Sequence, residues 1–206
     1  MAIYWMVSYF MLLFCLFELT AINRLQEPKI KRLISYFFFV LTLVLIFFAG
    51  IRGPDSGIDD WQYLDFFNDF SRQVRISDYD TITDIYRYEK MFMLLAWIFS
   101  WFSNNSYYFL LFIAFIAVGT NACCYKKYSP LILCSLCLYS AHLFINKDMN
   151  QIRFGLSSAF AVACICTAAG RNMLWAVLFF LMSAQSHSTG WVLLLVAPFL
   201  YLKERK

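Results

Sequence analysis

The chain has 206 residues, of which 62% are hydrophobic and only 15% charged, with a formal net charge of +4. A soluble domain of this size carries roughly a quarter of its residues charged to cover its surface, so a soluble globular fold is excluded. Seven Gly and four Pro exclude a collagen-like or low-complexity chain, and 20% aromatic residues exclude disorder. The composition predicts an all-α, polytopic membrane protein.

A helix needs roughly 20 mostly apolar residues to cross the hydrocarbon. In chain order the candidate spans are 3–22, 33–51, 107–125, 130–146, 153–170, 172–186 and 188–202, the last two short. The stretch from Met1 to Phe17 has no basic region ahead of its apolar run and no small-residue cleavage site after it, so it reads as a retained first span. The run 91–102 is too short to span comfortably. Charge decides what it does. Lys and Arg gather in cytoplasmic loops, and segment 23–32 carries four bases and one acid, which puts it in the cytoplasm. The second span then delivers residues 52–90 to the outside, a segment with nine acids and five bases. If 91–102 crossed, Lys126, Lys127, Arg171 and the terminal Lys-Glu-Arg-Lys would all lie outside. If it dips in and returns, all become cytoplasmic. The expectation is therefore a single integral membrane domain over 1–206, with about seven transmembrane helices. One re-entrant or interfacial segment and an external 52–90 loop with short amphipathic helices complete it.

This topology places three polar clusters on one outer face. In the first, Pro54, Ser56 and Gly57 turn the chain. A helix from Asp59 then puts Trp61, Leu64, Phe67 and Phe70 on one face, and Asp59 with Tyr63 on another, as in an amphipathic helix lying on the membrane. Glu89, opening the short apolar run, suits a helix amino terminus. In the second, Asn146–Arg153 leads into a helix rich in Gly, Ala and Ser that neighbours can approach closely. A base on the outer face runs against the charge bias, and a guanidinium at a helix amino terminus makes an anion site suited to phosphate. In the third, His187 sits among Gln185, Ser186, Ser188 and Thr189, which can hold a neutral imidazole as a base near pH 7. His142, mid-span, reads as a packing residue. The seven Cys lie in or beside apolar runs and are odd in number, which argues against a disulfide framework. Cys134 and Cys137 form a C-x-x-C without the further ligands a metal needs, so no metal and no cofactor are expected. Walker, nucleophile-elbow, zincin and dinucleotide motifs are absent. The positive charge comes from short connectors and indicates no nucleic-acid partner.

At these residues the chain resembles the EpsG family of bacterial polysaccharide polymerases, relatives of the Wzy-type O-antigen and capsule polymerases. Four features carry the resemblance in order: Arg52 followed by Gly57-Ile58-Asp59 and Tyr63; Glu89 opening an apolar segment; Asn150-Gln151-Ile152-Arg153 before a small-residue helix; and His187-Ser188 before a hydrophobic stretch. The family is typically longer, with more spans.

The resemblance implies polymerisation of oligosaccharide repeat units carried on a polyprenyl diphosphate, at the outer face of the bacterial cytoplasmic membrane. Such a transfer needs a cation near the developing phosphate charge and a base near the attacking hydroxyl. Arg153, with Arg52 as a second candidate, would bind the diphosphate beside Asn150. Asp59 or His187 would accept the hydroxyl proton, Glu89 would orient the sugar or a partner Arg, and Trp61 and Tyr63 would stack on sugar faces. Expected partners are the lipid-linked glycan, membrane lipid, a chain-length regulator and a flippase. Two alternatives stay open: a GT-C-like glycosyltransferase using a polyprenyl-phosphate sugar, for which Asp59 or Asp60 serves equally well, and a non-enzymatic membrane subunit.

Overall fold

The computed structural model describes residues 2–53, 59–74, 81, 85, 86 and 88–195. Among them the secondary structure is helical throughout. The long helices are α1 (Ala2–Thr20), α2 (Pro28–Gly50), α3 (Asp60–Gln73), α4 (Lys90–Ser100), α5 (Ser106–Tyr128), α6 (Ile132–Tyr139), α7 (Ile152–Ala169) and α8 (Met173–Ser186). Three of the described helices, α2, α5 and α7, are long and apolar enough to cross a membrane; Trp5–Thr20 of α1, α4 and α8 are shorter apolar helices. At a rise of 1.5 Å per residue α8 is only about 21 Å long.

Local chemistry explains the ends. Pro28 opens α2, where its missing N–H costs nothing. Asn105 caps α5 by accepting from the Tyr107 amide at 2.9 Å. The expected 130–146 span is built in two parts, since α6 widens into a π-helix over Ser140–Asp148. The wider turn ends with the Met149 amide donating to Phe144 O at 3.0 Å and Asn150 Nδ2 donating to Ile145 O at 2.8 Å. That widening brings Tyr139 and Asp148, nine residues apart, onto one face, where the phenol donates to Asp148 Oδ2 at 2.7 Å.

The contacts fix the direction of each helix. At one end of the bundle, here the lower end, α1 finishes and α6 begins. Buried Glu18 accepts there from the Cys134 amide at 2.8 Å, so a carboxylate from α1 satisfies an orphan donor in the first turn of α6. At the upper end α2 finishes while the π-helix ends and α7 begins: Arg52 Nη1 donates to Asp148 O at 2.7 Å. Ser157 and Ser183 exchange hydrogen bonds to each other's carbonyls at 2.9 and 2.8 Å, which ties the start of α7 to the end of α8.

The described helices between α2 and α5 pack at the upper end. Phe92 and Phe99, seven residues apart on α4, both pack against Phe109 in the first turns of α5, with ring centroids 5.6 and 5.9 Å away. Phe99 also stacks on Phe112 at 5.0 Å, so α4 packs on the first turns of α5. Phe67 of α3 stacks on the same Phe109 at 4.3 Å. Tyr63, Phe66, Phe67, Phe70, Phe92 and Phe109 thus form an aromatic core under the upper surface. A second core joins α1, α2, α5 and α6 lower down.

α3 corrects the sequence expectation. Trp61 is 55% exposed, whereas Tyr63 is 1% exposed. Phe66 decides the rotation: Tyr86, Tyr88 and Phe92 surround it, Tyr88 at 4.6 Å. The buried face therefore holds the expected Leu64, Phe67 and Phe70, with Tyr63 and Phe66 in place of Trp61, and packs on protein. Of the expected 188–202 span, Ser188–Val192 forms a 3-10 helix and 196–202 lies outside the described residues. Gly57 and Ile58 also lie outside them.

Candidate functional site

Arg153 is the second residue of α7, at the upper end of the bundle. Its Nη1 contacts Glu89 Oε2 at 2.6 Å, and each side chain keeps about a quarter of its surface exposed (24% and 25%). Glu89 precedes α4 with an extended backbone and makes no side-chain cap to that helix, which leaves its carboxylate for the guanidinium. Arg153 Nε donates to the Tyr63 hydroxyl at a long 3.5 Å, and its Cζ stands 4.7 Å over the Tyr88 ring and 6.0 Å from the Tyr63 ring. Two aromatic faces and one carboxylate thus hold the guanidinium plane. Asp59, at the amino terminus of α3, adds negative potential at Tyr63 and Tyr88. Burial raises both phenols, so both are neutral donors at pH 7.

His187 joins the cluster through Phe154, whose ring meets it edge-on at 5.3 Å. The Thr189 amide donates to His187 Nδ1 at 3.3 Å, with Thr189 Oγ1 at 3.0 Å. A nitrogen that accepts from an amide carries no proton, so the neutral ring bears its proton on Nε2. Burial lowers the imidazole pKa first; Glu89 raises it, and Arg153 and Lys147 lower it further. His187 is therefore a neutral Nε2–H donor at pH 7. Lys147 completes the rim: Nζ donates to Gln151 Oε1 at 3.0 Å and stands 4.0 Å over the Phe154 ring.

Arg52 occupies different surroundings. It is 6% exposed, and its Nε lies 2.7 Å from Asp60 Oδ1. With its bond to Asp148 O, and with Tyr139 on Asp148 Oδ2, it forms a buried network beneath the rim. Among the described residues, Arg52 Nη2 and Asp148 Oδ1 are buried without hydrogen-bond partners. The expected second phosphate cation is thus withdrawn from the surface. Asn150, expected at the ligand, has its amide turned to Ile145 O.

The structure therefore gathers Tyr63, Glu89, Arg153 and His187, with Asp59 beside the tyrosines. Tyr88, Lys147 and Asp148 are the additions, while Asp60, expected as an equal of Asp59, is drawn into the buried network with Arg52. Tyr88 directly before Glu89, and Lys147 six residues before Arg153, carried the available signal as neighbours of singled-out residues.

Gly155 controls the join between rim and network. A Cβ there would stand 2.5 Å from Asp148 Oδ1 and 3.2 Å from Asp148 Cα. Gly155→Ala is expected to destabilise the protein by about 1–3 kcal/mol, read as a lower Tm in detergent. An unchanged Tm would show that Asp148 moves aside freely.

The EpsG family matches residues 35–206. The chain is 64% identical over 206 residues to the amylovoran biosynthesis protein AmsC of Erwinia amylovora, covering 100% of this chain and 55% of that protein. It thus spans about half the length of the curated relative it matches. No solved structure matches. With most of its length matched, this membrane protein belongs to the EpsG family.

Proposed function

We propose that this protein polymerises oligosaccharide repeat units carried on a polyprenyl diphosphate, with the Arg153 rim on the outer face of a bacterial cytoplasmic membrane. A role in exopolysaccharide biosynthesis is supported by the family and by the relative named for amylovoran biosynthesis. The observation that carries the finer reading is the quarter-exposed Arg153, held by Glu89 and two tyrosine rings near an imidazole donor.

Glycosyl transfer from a diphosphate places developing charge on phosphate oxygens, and Arg153 offers that charge a planar cation at a helix amino terminus. His187 supplies a second, neutral donor. A carboxylate of the same cluster, Asp59 or Glu89, takes the proton of the attacking hydroxyl. Exposed Trp61 stands ready to stack on sugar. The direction of the helices supports the outward placement: the turns carrying Arg24, Lys29, Lys31, Lys126, Lys127 and Arg171 all fall at the lower end, which suits the cytoplasm. α4, an apolar helix of only 11 residues, is too short to span by itself and suits a re-entrant or interfacial segment among about seven spans.

The donor tests the activity. Protein in nanodiscs is expected to build long polymer from a polyprenyl-diphosphate repeat unit. Transfer of single sugars from a polyprenyl monophosphate, with no polymer, would favour the GT-C-like alternative instead. As a donor to a charged oxygen, His187 contributes about 10- to 100-fold to rate, so His187→Ala is expected to lower polymer formation by that factor at normal protein level.

A further inference from the structure

We propose that Arg153 exchanges Glu89 for the phosphate of the lipid donor, and that the carboxylate so released is the group that takes the acceptor's proton. This rests on the site being a diphosphate-binding transfer centre, as argued above.

Three observations carry it. First, Arg153 has one edge to offer. Its Nε is turned to the Tyr63 hydroxyl and its face lies over Tyr88, while Glu89 Oε2 sits on Nη1 at 2.6 Å. A phosphate gripped by both terminal nitrogens, the geometry that favours arginine, needs the position the carboxylate holds. Second, the pair is loose enough to open. Both side chains are a quarter exposed, and ion pairs so exposed are weak. Glu89 makes no bond to the amides of α4 that would retain it. Third, among the described residues Glu89 is the carboxylate that touches Arg153. His187 is a poor rival as base because its Nδ1 already accepts from the Thr189 amide. An empty site would thus keep its base neutralised, and a donor's arrival would free it.

The step balances. The acceptor oxygen bonds to the anomeric carbon as that carbon's bond to the diphosphate oxygen breaks. The bonding pair leaves on the diphosphate, whose charge Arg153 holds. The hydroxyl proton passes to the Glu89 carboxylate. When polyprenyl diphosphate departs, the proton is lost to water and Glu89 pairs with Arg153 again.

The test separates binding from turnover. The full chain in nanodiscs is titrated with a sugar-free polyprenyl diphosphate, and polymer formation is measured on the same preparations. Glu89→Gln removes the competing charge at constant shape. It is expected to bind the probe about 5- to 10-fold tighter while losing about 10²- to 10⁴-fold in polymer formation, the usual contribution of a proton acceptor. Glu89→Asp, which keeps the carboxylate but shortens it, is expected to bind tighter and retain part of the activity; it also guards against a Gln variant that fails to fold. Weaker or unchanged probe binding in both variants would mean that Glu89 only positions Arg153, and would overturn the exchange. Tighter binding with full polymer would overturn the role as base. Arg153→Ala binding the probe as tightly as wild type would instead sink the diphosphate site itself.

Discussion

Arg153→Ala is expected to abolish polymer formation while the protein remains folded in the membrane. Removing one preorganised donor to a developing oxyanion costs about 10²–10³ in rate, and Arg153 offers a full charge with two terminal nitrogens, so the loss should reach at least that range. Stability should move little. The Glu89 carboxylate left behind is a quarter exposed, so water can solvate it, and pairs of this exposure contribute only about 0–1 kcal/mol. Arg153→Lys sharpens the test. It keeps the charge but gives up the planar fork and the stacking on Tyr63 and Tyr88, so it should recover only a small part of the activity. Polymer resolved on gels, set against protein level in the same membranes, reads both variants. Full-length polymer from Arg153→Ala at normal protein level would remove the guanidinium from the chemistry.

The parts of this arrangement legible in the sequence were those governed by long-range rules. Charge bias assigned the basic connectors to one end and left Arg153 out of place at the other, which is why it stood out as functional. The same bias set 91–102 apart as a segment that does not cross, and the structure shows there an apolar helix of 11 residues, Lys90–Ser100. What stayed hidden depends on rotations smaller than a sequence pattern resolves. Spacings of three placed Trp61 in the apolar face of α3; the tyrosines before α4 turn the helix so that Tyr63 and Phe66 are buried instead. That rotation also points Asp60, not Asp59, at Arg52, since neighbours on a helix differ by about 100°. The π-helical widening at Ser140–Asp148 has no composition signal, yet it brings Tyr139 to Asp148. Glu18 is buried in α1 with a partner, the Cys134 amide, 116 residues away, which no local pattern carries.

Arg52 is where the two kinds of inference part, and its replacement separates them. Its motif position suggests a second phosphate ligand, but its ion pair with Asp60 has side chains only 2% and 1% exposed. Breaking a buried pair by removing one partner strands the other charge and costs about 3–5 kcal/mol. Arg52→Ala and Asp60→Ala should each deplete folded protein in the membrane and lower its Tm, with activity per remaining folded molecule close to normal. The double replacement Arg52→Met with Asp60→Leu is the decisive variant. A buried pair replaced by apolar side chains of similar volume is often neutral or stabilising, so this variant should regain protein level and, with it, polymer. Asp148 O would lose the bond from Arg52 Nη1, which sets a residual cost of about 1–3 kcal/mol for an unmet buried acceptor. A phosphate-binding Arg52 predicts the opposite pattern: the double variant would be well folded and inactive, because no apolar side chain can hold a diphosphate. Burial alone already favours the first outcome, since a ligand reaching Arg52 would have to displace both Asp60 and the end of the π-helix.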